Sequence, residues 1–289
     1  MTLRAFVTCV LLAGTAPAHA ETFYACDMVI DALPATITTQ GVYCLTQDVS
    51  TAIASGNAIT INANNVTLDC NGYKIGGLGA GTGTNAYGVH ATDRTNVTVR
   101  QCSIRGFRYA VVFDGTGASG GVIEDNRLSE NRDTAVFVNG NGHTIRRNLV
   151  SQTGGRPASA ATGIRLGGHL HDVSDNNIHH VFASGASGLE GMAVGIGLNS
   201  SNGTVVRGNR VQAVYRGGTG SAIGIDAFGQ QLSVEGNSLA LLNVGAEAAG
   251  YGIWGSTKTA CRDNLVSGWT TPLQSCTVLL DNVVDPPPP

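Results

Sequence analysis

One short pattern of apolar and polar positions recurs along the chain, in the order apolar, two variable positions, asparagine, one variable position, apolar. Successive copies are 31, 24, 22, 28, 33, 28, 27 and 18 residues apart, and periods in this range are typical of solenoid coils. The residues at the asparagine position are Asn71, Cys102, Asn126, Asn148, Asn176, Asn209, Asn237, Asn264 and Asn282.

A short alternating strand precedes each of the first eight copies. Its apolar positions are Ile59, Val89, Val111, Val136, Ile164, Ile196, Ile225 and Ile253. A left-handed hexapeptide helix would keep a stricter period, and leucine-rich repeats are dominated by leucine and have steadier lengths. No segment keeps a helical apolar stripe for long. The pattern therefore predicts an all-β fold, a single-stranded right-handed parallel β-helix (solenoid) of about eight to nine coils.

The same pattern divides the chain. Residues 21–56 are expected to form an N-terminal cap, residues 57–284 the β-helix, and residues 285–289 a proline-rich tail. Inward amides at equivalent turns of neighbouring coils can hydrogen-bond along a column, so the repeated asparagines are predicted to form a structural ladder.

The first twenty residues have the layout of a secretory signal peptide. Arg4 precedes an apolar run, and Ala18-His19-Ala20 provides a small-residue cleavage site before Glu21. We expect cleavage after Ala20 and a secreted or periplasmic protein. No later segment is long and apolar enough to cross a bilayer.

Removal of that segment leaves Cys26, Cys44, Cys70, Cys102, Cys261 and Cys276. Six cysteines allow fifteen connectivities in an oxidising compartment. Pairing of sequence neighbours is favoured, because the pairs then fall in the N-terminal segment, in adjacent coils and in the last two coils. Cys70 lies one place before the ladder and Cys102 lies on it, which leaves the geometry of that pair open. No cysteine or histidine spacing suggests zinc.

The charge balance limits the partners. The chain has 17 basic and 20 acidic residues, and only Arg4 leaves with the signal peptide, so a nucleic-acid partner is not expected. The oligomeric state stays open, since exposed end coils need caps, a partner or both.

Charged residues recur two positions before the asparagine. Alternation along a strand points this row outward, and stacking places successive members side by side, so we interpret it as a solvated ladder of ion pairs. Its members are Asp69, Arg100, Glu124, Arg146, Ser174, Arg207, Glu235 and Arg262.

Alternation on the preceding strand gives a mixed outward face. Its first row holds Thr60, His90, Val112, Phe137, Arg165, Gly197, Asp226 and Trp254, and its second row holds Asn62, Thr92, Asp114, Asn139, Gly167, Asn199, Phe228 and Ser256. Long connections precede several of these strands, and they carry Arg156, His179, His180, Glu190, Tyr215 and Arg216. Such loops could wall a binding groove along the face.

Residues 64–75 and 96–100, with the Ile-x-x-Asn-x-Ile copies, resemble the parallel β-helix repeats of the pectate-lyase-like superfamily. The resemblance extends over residues 57–284. It implies a glycan bound along the strand face, as in the polysaccharide lyases, hydrolases and uronate epimerases of that superfamily. It does not fix the activity, because one fold supports many functions.

Under this resemblance, Arg165 would neutralise a uronate carboxylate, and Asp226 and Asp114 would act as bases or as ligands of Ca²⁺. Trp254 or Phe137 would form a sugar platform, and His169 and His171 are further catalytic candidates. Substrate-binding candidates are His90, Asn139, Asn199, Tyr215 and Arg216.

The chain also departs from the superfamily's known sites. It lacks the paired aspartates and the Gly-His-Gly signature of polygalacturonases and the Asp-Pro-His-Asp motif of alginate epimerases. Its two lysines, Lys74 and Lys258, lie at opposite ends of the solenoid.

Three hypotheses follow from these residues. The first is a secreted lyase or epimerase that acts on an acidic polysaccharide. The second is a non-catalytic glycan-binding or structural surface protein. The third is an accessory factor like the periplasmic β-helix protein of nitrous oxide reductase assembly, for which the sequence offers no metal motif.

Overall fold

The protein is a parallel β-solenoid, seen in a computed structural model that describes residues 26–241 and 250–285. The strands of these ranges form three sheets in which every pairing between neighbouring coils is parallel. Each coil passes through sheet B, then sheet A, then sheet C. The predicted right-handed parallel β-helix is confirmed.

The strands are numbered in chain order. Sheet A contains β1 (Met28–Val29), β3 (Gly41–Cys44), β6 (Val66–Asp69), β9 (Val97–Arg100), β12 (Val122–Glu124), β15 (Thr144–Arg146), β18 (Asp172–Ser174), β21 (Val205–Arg207), β24 (Leu232–Glu235), β27 (Thr259–Arg262) and β30 (Val278–Leu280). Sheet B contains β2 (Ala35–Ile37), β5 (Asn57–Ile61), β8 (Tyr87–Thr92), β11 (Tyr109–Asp114), β14 (Thr134–Asn141), β17 (Ala161–His169), β20 (Ala193–Asn202), β23 (Ala222–Gln230), β26 (Gly250–Trp254) and β29 (Thr271–Gln274). Sheet C contains β4 (Val49–Ser50), β7 (Lys74–Gly76), β10 (Ser103–Arg105), β13 (Arg127–Ser129), β16 (Leu149–Gly154), β19 (Asn177–Phe182), β22 (Arg210–Tyr215), β25 (Ser238–Ala240), β28 (Leu265–Ser267) and β31 (Val283–Asp285). A 3₁₀ turn spans Leu78–Ala80.

Strands β1 to β4 lie within the segment expected to form the cap. Strand β2 pairs with β5, β3 with β6 and β4 with β7, so this segment contributes to all three sheets. The predicted signal peptide, residues 1–20, and the prolines at 286–289 lie outside the described residues.

The core is a stack of apolar columns inside the three sheets. On sheet B, the residues from Ile59 to Ile253 that the alternation pointed inward are all fully buried and in register from coil to coil. A glycine often precedes these inward residues, because the backbone of sheet B lies close there to side chains of sheet C and to the next coil. A Cβ on Gly195 would lie 2.4 Å from Val211 Cγ1 and 2.5 Å from the Gly224 carbonyl oxygen.

A column of buried asparagines lies at the turn between sheets A and C. Each side-chain Nδ2 donates to Oδ1 of the next asparagine, at 2.8 to 3.0 Å. The same Oδ1 accepts from the preceding member's backbone N–H, and Nδ2 also donates to a carbonyl of the preceding coil. The column runs through Asn126, Asn148, Asn176, Asn209, Asn237, Asn264 and Asn282.

Asn71 does not belong to this column, and that part of the ladder prediction was wrong. The register aligns Leu68 with Val99 and Ile75 with Ile104, so the first turn is two residues longer than the next one. Asn71 is exposed, its φ is 50°, and its Nδ2 donates to the Leu45 carbonyl at 3.1 Å. The column begins instead where the Cys102 backbone N–H donates to Asn126 Oδ1 at 2.9 Å.

Three disulfides join the predicted pairs, Cys26 to Cys44, Cys70 to Cys102 and Cys261 to Cys276. Cys70 and Cys102 lie with their Cα atoms 4.7 Å apart, within the ordinary range for a disulfide. Disulfides are typical of proteins outside the cytoplasm, and those in this structure indicate an extracellular or periplasmic location. Within the described ranges, no helix is long or apolar enough to span a membrane.

The predicted ion-pair ladder on sheet A forms only in part. Arg100 pairs with Asp69 at 2.8 Å and Arg146 with Glu124 at 2.7 Å, each across neighbouring coils. Asp69 is only 1% exposed, however, so its pair is not the solvated contact that we expected.

Farther along the row, Arg207 pairs with Asp172 at 2.7 Å and not with Ser174. In the described part of the chain, Glu235 and Arg262 form no ion pair with each other, although they are in register. Charge alternation therefore stabilises the first coils of sheet A more than the last ones.

Candidate functional site

The outward face of sheet B carries the candidate site, and it has three rows where the alternation predicted two. In β8 both Gly88 and Val89 are buried, so Tyr87 and His90 both point outward although they are three residues apart. The added row contains Asn57, Tyr87, Tyr109, Thr134, Thr162, Val194, Ile223, Tyr251 and Thr271.

The two predicted rows are in register as expected. His90, Val112, Phe137, Arg165, Gly197, Asp226 and Trp254 are direct partners across β8, β11, β14, β17, β20, β23 and β26. The second predicted row is also in register, and its direct partners across neighbouring strands are Asn139, Gly167, Asn199 and Phe228. The structure thus places most of the predicted substrate-binding residues on one continuous surface.

An aromatic cluster occupies the N-terminal end of this surface. Tyr87 and Tyr109 stack with ring centroids 5.1 Å apart and planes 12° apart, and Tyr109 lies 5.9 Å from Phe137. His90 Nε2 lies 3.1 Å from Asp114 Oδ1, so the predicted ligand residues His90 and Asp114 contact each other. The sequence analysis missed both tyrosines, because strict alternation points them inward.

Arg165 lies in the middle of the surface with its charge uncompensated by a carboxylate. Its Cζ is 5.6 Å from the centre of the Phe137 ring, a cation–π contact. When the Asn199 side-chain amide is turned so that its oxygen faces the guanidinium, the orientation that pairs donor with acceptor, that oxygen accepts from Arg165 Nε at 2.8 Å and from Nη2 at 3.1 Å. Among the described residues, Arg165 forms no ion pair. Phe137 and Asn199 hold the guanidinium in place and leave its charge available to an anion.

A gap without a side chain separates Arg165 from Asp226. Gly197 lies between them in the row, and a Cβ added to it would meet no atom closer than 3.5 Å. Two strand spacings place the Arg165 and Asp226 backbones about 10 Å apart. We call this position without a side chain the trough; Gly197 is buried there, with a cation on one side in the row and a carboxyl on the other.

Burial of the Asp226 carboxyl raises its pKa to about 6, because the low-polarity surroundings disfavour its charged form. Within the described residues, no hydrogen bond or ion pair offsets this effect. A carboxyl with this pKa changes its protonation state near neutral pH, as proton-transfer groups do.

A cavity of about 580 Å³ opens at the C-terminal end of the face. Its walls include Phe228 and Trp254, which are 61% and 38% exposed. Lys258 also lines it, and its Nζ donates to Gln230 Oε1 at 3.2 Å. The site residues predicted from the sequence included Trp254 but not Phe228, Gln230 or Lys258. Phe228 was on a predicted outward row. Gln230 is the last residue of β23 and Lys258 lies in the turn before β27, where alternation gives no guidance.

His171, which follows Arg165 closely in sequence, is not part of this surface. His171 is 2% exposed, and its ring stacks on His143 with centroids 5.5 Å apart. His171 Nδ1 accepts from the His143 backbone N–H at 3.2 Å. Burial lowers the pKa of both histidines, that of His143 to about 4. An interior ring cannot touch a surface ligand, so the structure contradicts a catalytic role for His171. His169 is exposed at the end of β17, four residues beyond Arg165.

The connections from sheet C to sheet B stack on one another along one side of the face. The Ser184 N–H donates to the Ser159 carbonyl at 3.1 Å, and the Gly217 N–H donates to the Gly191 carbonyl at 2.9 Å. Arg156 Nη2 donates to Asn85 Oδ1 at 2.9 Å, which joins loops 71 residues apart. These loops therefore contact one another from coil to coil, and the wall that they would form beside a groove stays a prediction.

Two other predicted ligand residues lie away from Arg165. Tyr215 ends β22 in sheet C, with its ring 6.1 Å from that of His180. Arg216 Nη1 donates to the Gly220 carbonyl of its own loop at 3.1 Å. Over the described ranges, no group of three or more histidine, cysteine or acidic side chains is arranged to hold a metal ion, Ca²⁺ included.

Comparisons with known proteins agree with this architecture. The family described as the right handed beta helix region matches residues 36–268, and the chain belongs to that family. No curated protein matches the sequence.

Solved structures also match the fold. The crystal structure of the Dettilon tailspike protein (gp208) is similar with a TM-score of 0.60 and 14% identity, over 89% of this chain and 53% of that one. DFA-IIIase from Arthrobacter chlorophenolicus A6 in complex with DFA-III gives a TM-score of 0.49 and 14% identity, over 84% and 61%. A mutant tailspike protein of E. coli bacteriophage HK620 in complex with a pentasaccharide gives 0.43 and 14%, over 89% and 54%. The chain spans little more than half the length of these proteins, and identities this low show the fold alone.

Proposed function

We propose that this protein binds an acidic polysaccharide along the outward face of sheet B. The observation that carries the proposal is the row Arg165, Gly197, Asp226, Trp254. It places a fixed cation, a position without a side chain, a carboxyl and an exposed aromatic ring on four successive coils. A sugar ring offers an apolar face to an aromatic side chain, and hydroxyl groups to amides and carboxyls.

The charge of Arg165 supports an anionic ligand. A guanidinium binds a carboxylate through two parallel hydrogen bonds, and Arg165 has no carboxylate partner in the described part of the chain. Phe137 and Asn199 restrict its movement, so little further ordering is needed when a ligand binds.

The test is a binding screen with polygalacturonate, alginate and glycosaminoglycans, with dextran as a neutral control. We expect binding to at least one acidic polymer and none to dextran. Arg165→Ala should weaken binding about 10- to 100-fold, since a charge-assisted hydrogen bond contributes about 1.5–3 kcal/mol. Arg127→Ala is the matched control, because Arg127 is an exposed arginine on sheet C. Equal losses for both variants would show that the effect is not specific to the site.

The raised pKa of Asp226 favours a second candidate function, a uronate lyase or epimerase. The Asp226 carboxylate would remove the proton next to the sugar carboxylate, and Arg165 would stabilise the negative charge that develops there. In a lyase, the bond to the adjacent glycosidic oxygen would break as the carbon–carbon double bond forms, and the departing oxygen would take a proton from water. In an epimerase, a proton from water would return to the carbon from the opposite face and give the epimer.

An assay for the ultraviolet absorbance of the unsaturated product, with sugar analysis for the epimer, separates the two functions. If the protein is an enzyme, Asp226→Asn should abolish turnover and keep binding. Binding without any product or epimerised sugar would establish the non-catalytic alternative, a glycan-binding surface protein.

We also propose that the chain is exported, with cleavage after Ala20. Support comes from the signal-like residues 1–20 and from the three disulfides. The intact mass of the protein isolated from the medium or the periplasm tests this. The expected mass is that of a chain beginning at Glu21, and an unprocessed N-terminus in that fraction would contradict it.

A further inference from the structure

The cavity at the C-terminal end of sheet B extends beyond the row on which the proposed function rests, and it shares only Trp254 with that row. It lies where β20, β23, β26 and β29 end and the chain turns toward sheet A. Its volume of about 580 Å³ is within the usual range for small-ligand sites. Two aromatic side chains and one lysine are among its lining residues.

The aromatic rings are exposed in a way that indicates a ligand. Trp254 is the direct partner of Asp226, and Phe228 follows Asp226 by two positions, so the two rings are diagonal neighbours. Tyr251 contacts Trp254 with ring centroids 4.6 Å apart and supports it from one side. Neighbouring exposed aromatic groups rimmed by polar residues are a feature of recognition sites.

The polar part of the cavity is organised by a tight turn. Ser256 Oγ donates to the Gly229 carbonyl, and the Ser256 N–H donates to Thr259 Oγ1 at 3.0 Å, which fixes the turn that carries Lys258. Lys258 is held by a neutral group, Gln230, and within the described residues it forms no ion pair with a carboxylate. Its ammonium group therefore carries an uncompensated charge at the edge of the aromatic surface.

We propose that this cavity is a separate binding subsite for one anionic sugar residue. The sugar ring lies against Trp254 and Phe228, and Lys258 binds its carboxylate or sulfate. A ring with an apolar face and an anionic substituent is the ligand that combines these features. The choice of a sugar rests on the proposed function, whereas the position of the subsite does not depend on Arg165.

The two sites are spaced along the solenoid. Trp254 is three strands beyond Arg165, so about 14 Å separate the two backbones. A single sugar bound in the cavity does not reach Arg165, and a longer glycan can occupy both sites. Short and long ligands therefore test the two sites independently.

Tryptophan fluorescence reports on the cavity directly. The chain has two tryptophans, and Trp269 is fully buried whereas Trp254 lines the cavity. Galacturonate, glucuronate and galactose 6-sulfate, each as the free monosaccharide, would be titrated against galactose and glucose. We expect a saturable change in emission with an anionic sugar that weakens as salt is added, and no comparable change with the neutral sugars. The uronates and the sulfated sugar distinguish a carboxylate from a sulfate ligand.

Variants assign the response to named side chains. Trp254→Phe keeps an aromatic ring and should abolish the signal, since only Trp269 then emits. Lys258→Gln should weaken binding about five- to tenfold, and Lys258→Arg should largely restore it. Lys74→Gln is the matched control at the opposite end of the solenoid, where Lys74 pairs with Asp48 at 2.9 Å. Near-ultraviolet circular dichroism shows whether each variant is folded.

Two results would overturn the subsite: no emission change with any anionic sugar, or equal responses to neutral and anionic sugars. Arg165→Ala should leave the monosaccharide response unchanged. If that variant also binds the long acidic polymer normally, the proposed function of the sheet B trough fails while the subsite stands. If the monosaccharide response is missing but polymer binding depends on Arg165, the subsite fails and the proposed function stands.

Discussion

Asn148 Nδ2 donates to Asn176 Oδ1 at 3.0 Å, and the Asn148 backbone N–H donates to the same oxygen at 3.0 Å. This double contact joins one coil to the next and is repeated along the column to Asn282. Because both residues are buried, each amide satisfies a group that would otherwise be unpaired away from water. The column therefore fixes the register between coils, and the register aligns Arg165, Gly197 and Asp226 on the outside.

Removal of one interior amide should destabilise the fold. Asn176→Ala removes the acceptor of the buried Asn148 backbone N–H and one hydrogen bond each of Asn148 Nδ2 and Asn209 Oδ1, and we expect a loss of roughly 1–3 kcal/mol in the free energy of unfolding. Chemical denaturation measures this loss. Asn177→Ala is the control, because Asn177 is exposed, and within the described residues its side chain forms no hydrogen bond; its effect should be within about 0.5 kcal/mol. Equal losses for the two variants would contradict a stabilising column.

Two glycines of β20 should respond differently to the same substitution. Gly195→Ala places a methyl group 2.4 Å from Val211 Cγ1, so we expect about 1–3 kcal/mol of destabilisation from overpacking. Gly197→Ala points into the trough, where the nearest atom is 3.5 Å away, and its stability should be close to that of the wild type. Thermal and chemical denaturation of the pair check this. A tolerated Gly195→Ala would mean that the sheet can separate there.

Acid should lower the stability of the folded protein, because His143 is buried in its neutral form. Its pKa is about 4 in the folded protein against an ordinary value of 6.5, because burial disfavours the imidazolium. Between these values the unfolded chain binds more protons, so stability falls as the pH drops from 6.5 to 4, by at most about 3 kcal/mol. His143→Gln should lose this part of the pH dependence, measured as the difference in unfolding free energy between the two proteins. A constant difference over this range would refute the buried neutral histidine.

Asp226 should have the opposite effect on stability. Its pKa of about 6 lies above the ordinary value of 3.8, so the folded protein binds more protons between these values. Stability is therefore lost as the pH rises from about 4 to 6, by at most about 3 kcal/mol. The free energy of unfolding of Asp226→Asn should rise relative to that of the wild type as the pH increases from about 4 to 6. Chemical denaturation at pH 4, 5, 6 and 7 measures this difference. Parallel plots of unfolding free energy against pH for the two proteins would argue against a desolvated carboxyl.

The repeat pattern predicted the coils, the inward columns and the disulfide pairs, because each depends on spacing that stacking preserves. It failed where a turn changes length. Two extra residues in the first turn removed Asn71 from the column, and the pattern around Asn71 looks like that of every other copy. The sequence alone does not show how many residues a turn between two strands contains.

Alternation predicted the rows of Arg165 and Asn199 but failed where the strands depart from strict period two. Tyr87 and Tyr109 face outward because two successive residues of their strands are buried. His171 followed Arg165 closely in sequence, yet the turn after β17 directs it into the interior beside His143. The cavity around Lys258 depends on where four strands end together, which no local pattern records.

The trough over Gly197 is the centre of the proposed function, and calorimetric titration with an acidic oligosaccharide from the binding screen tests it most directly. Gly197→Phe fills the space between Arg165 and Asp226 and leaves both charged groups in place. We predict that the wild type and Gly197→Ala bind the oligosaccharide and that folded Gly197→Phe does not. Binding by Gly197→Phe with the affinity of the wild type would contradict the account.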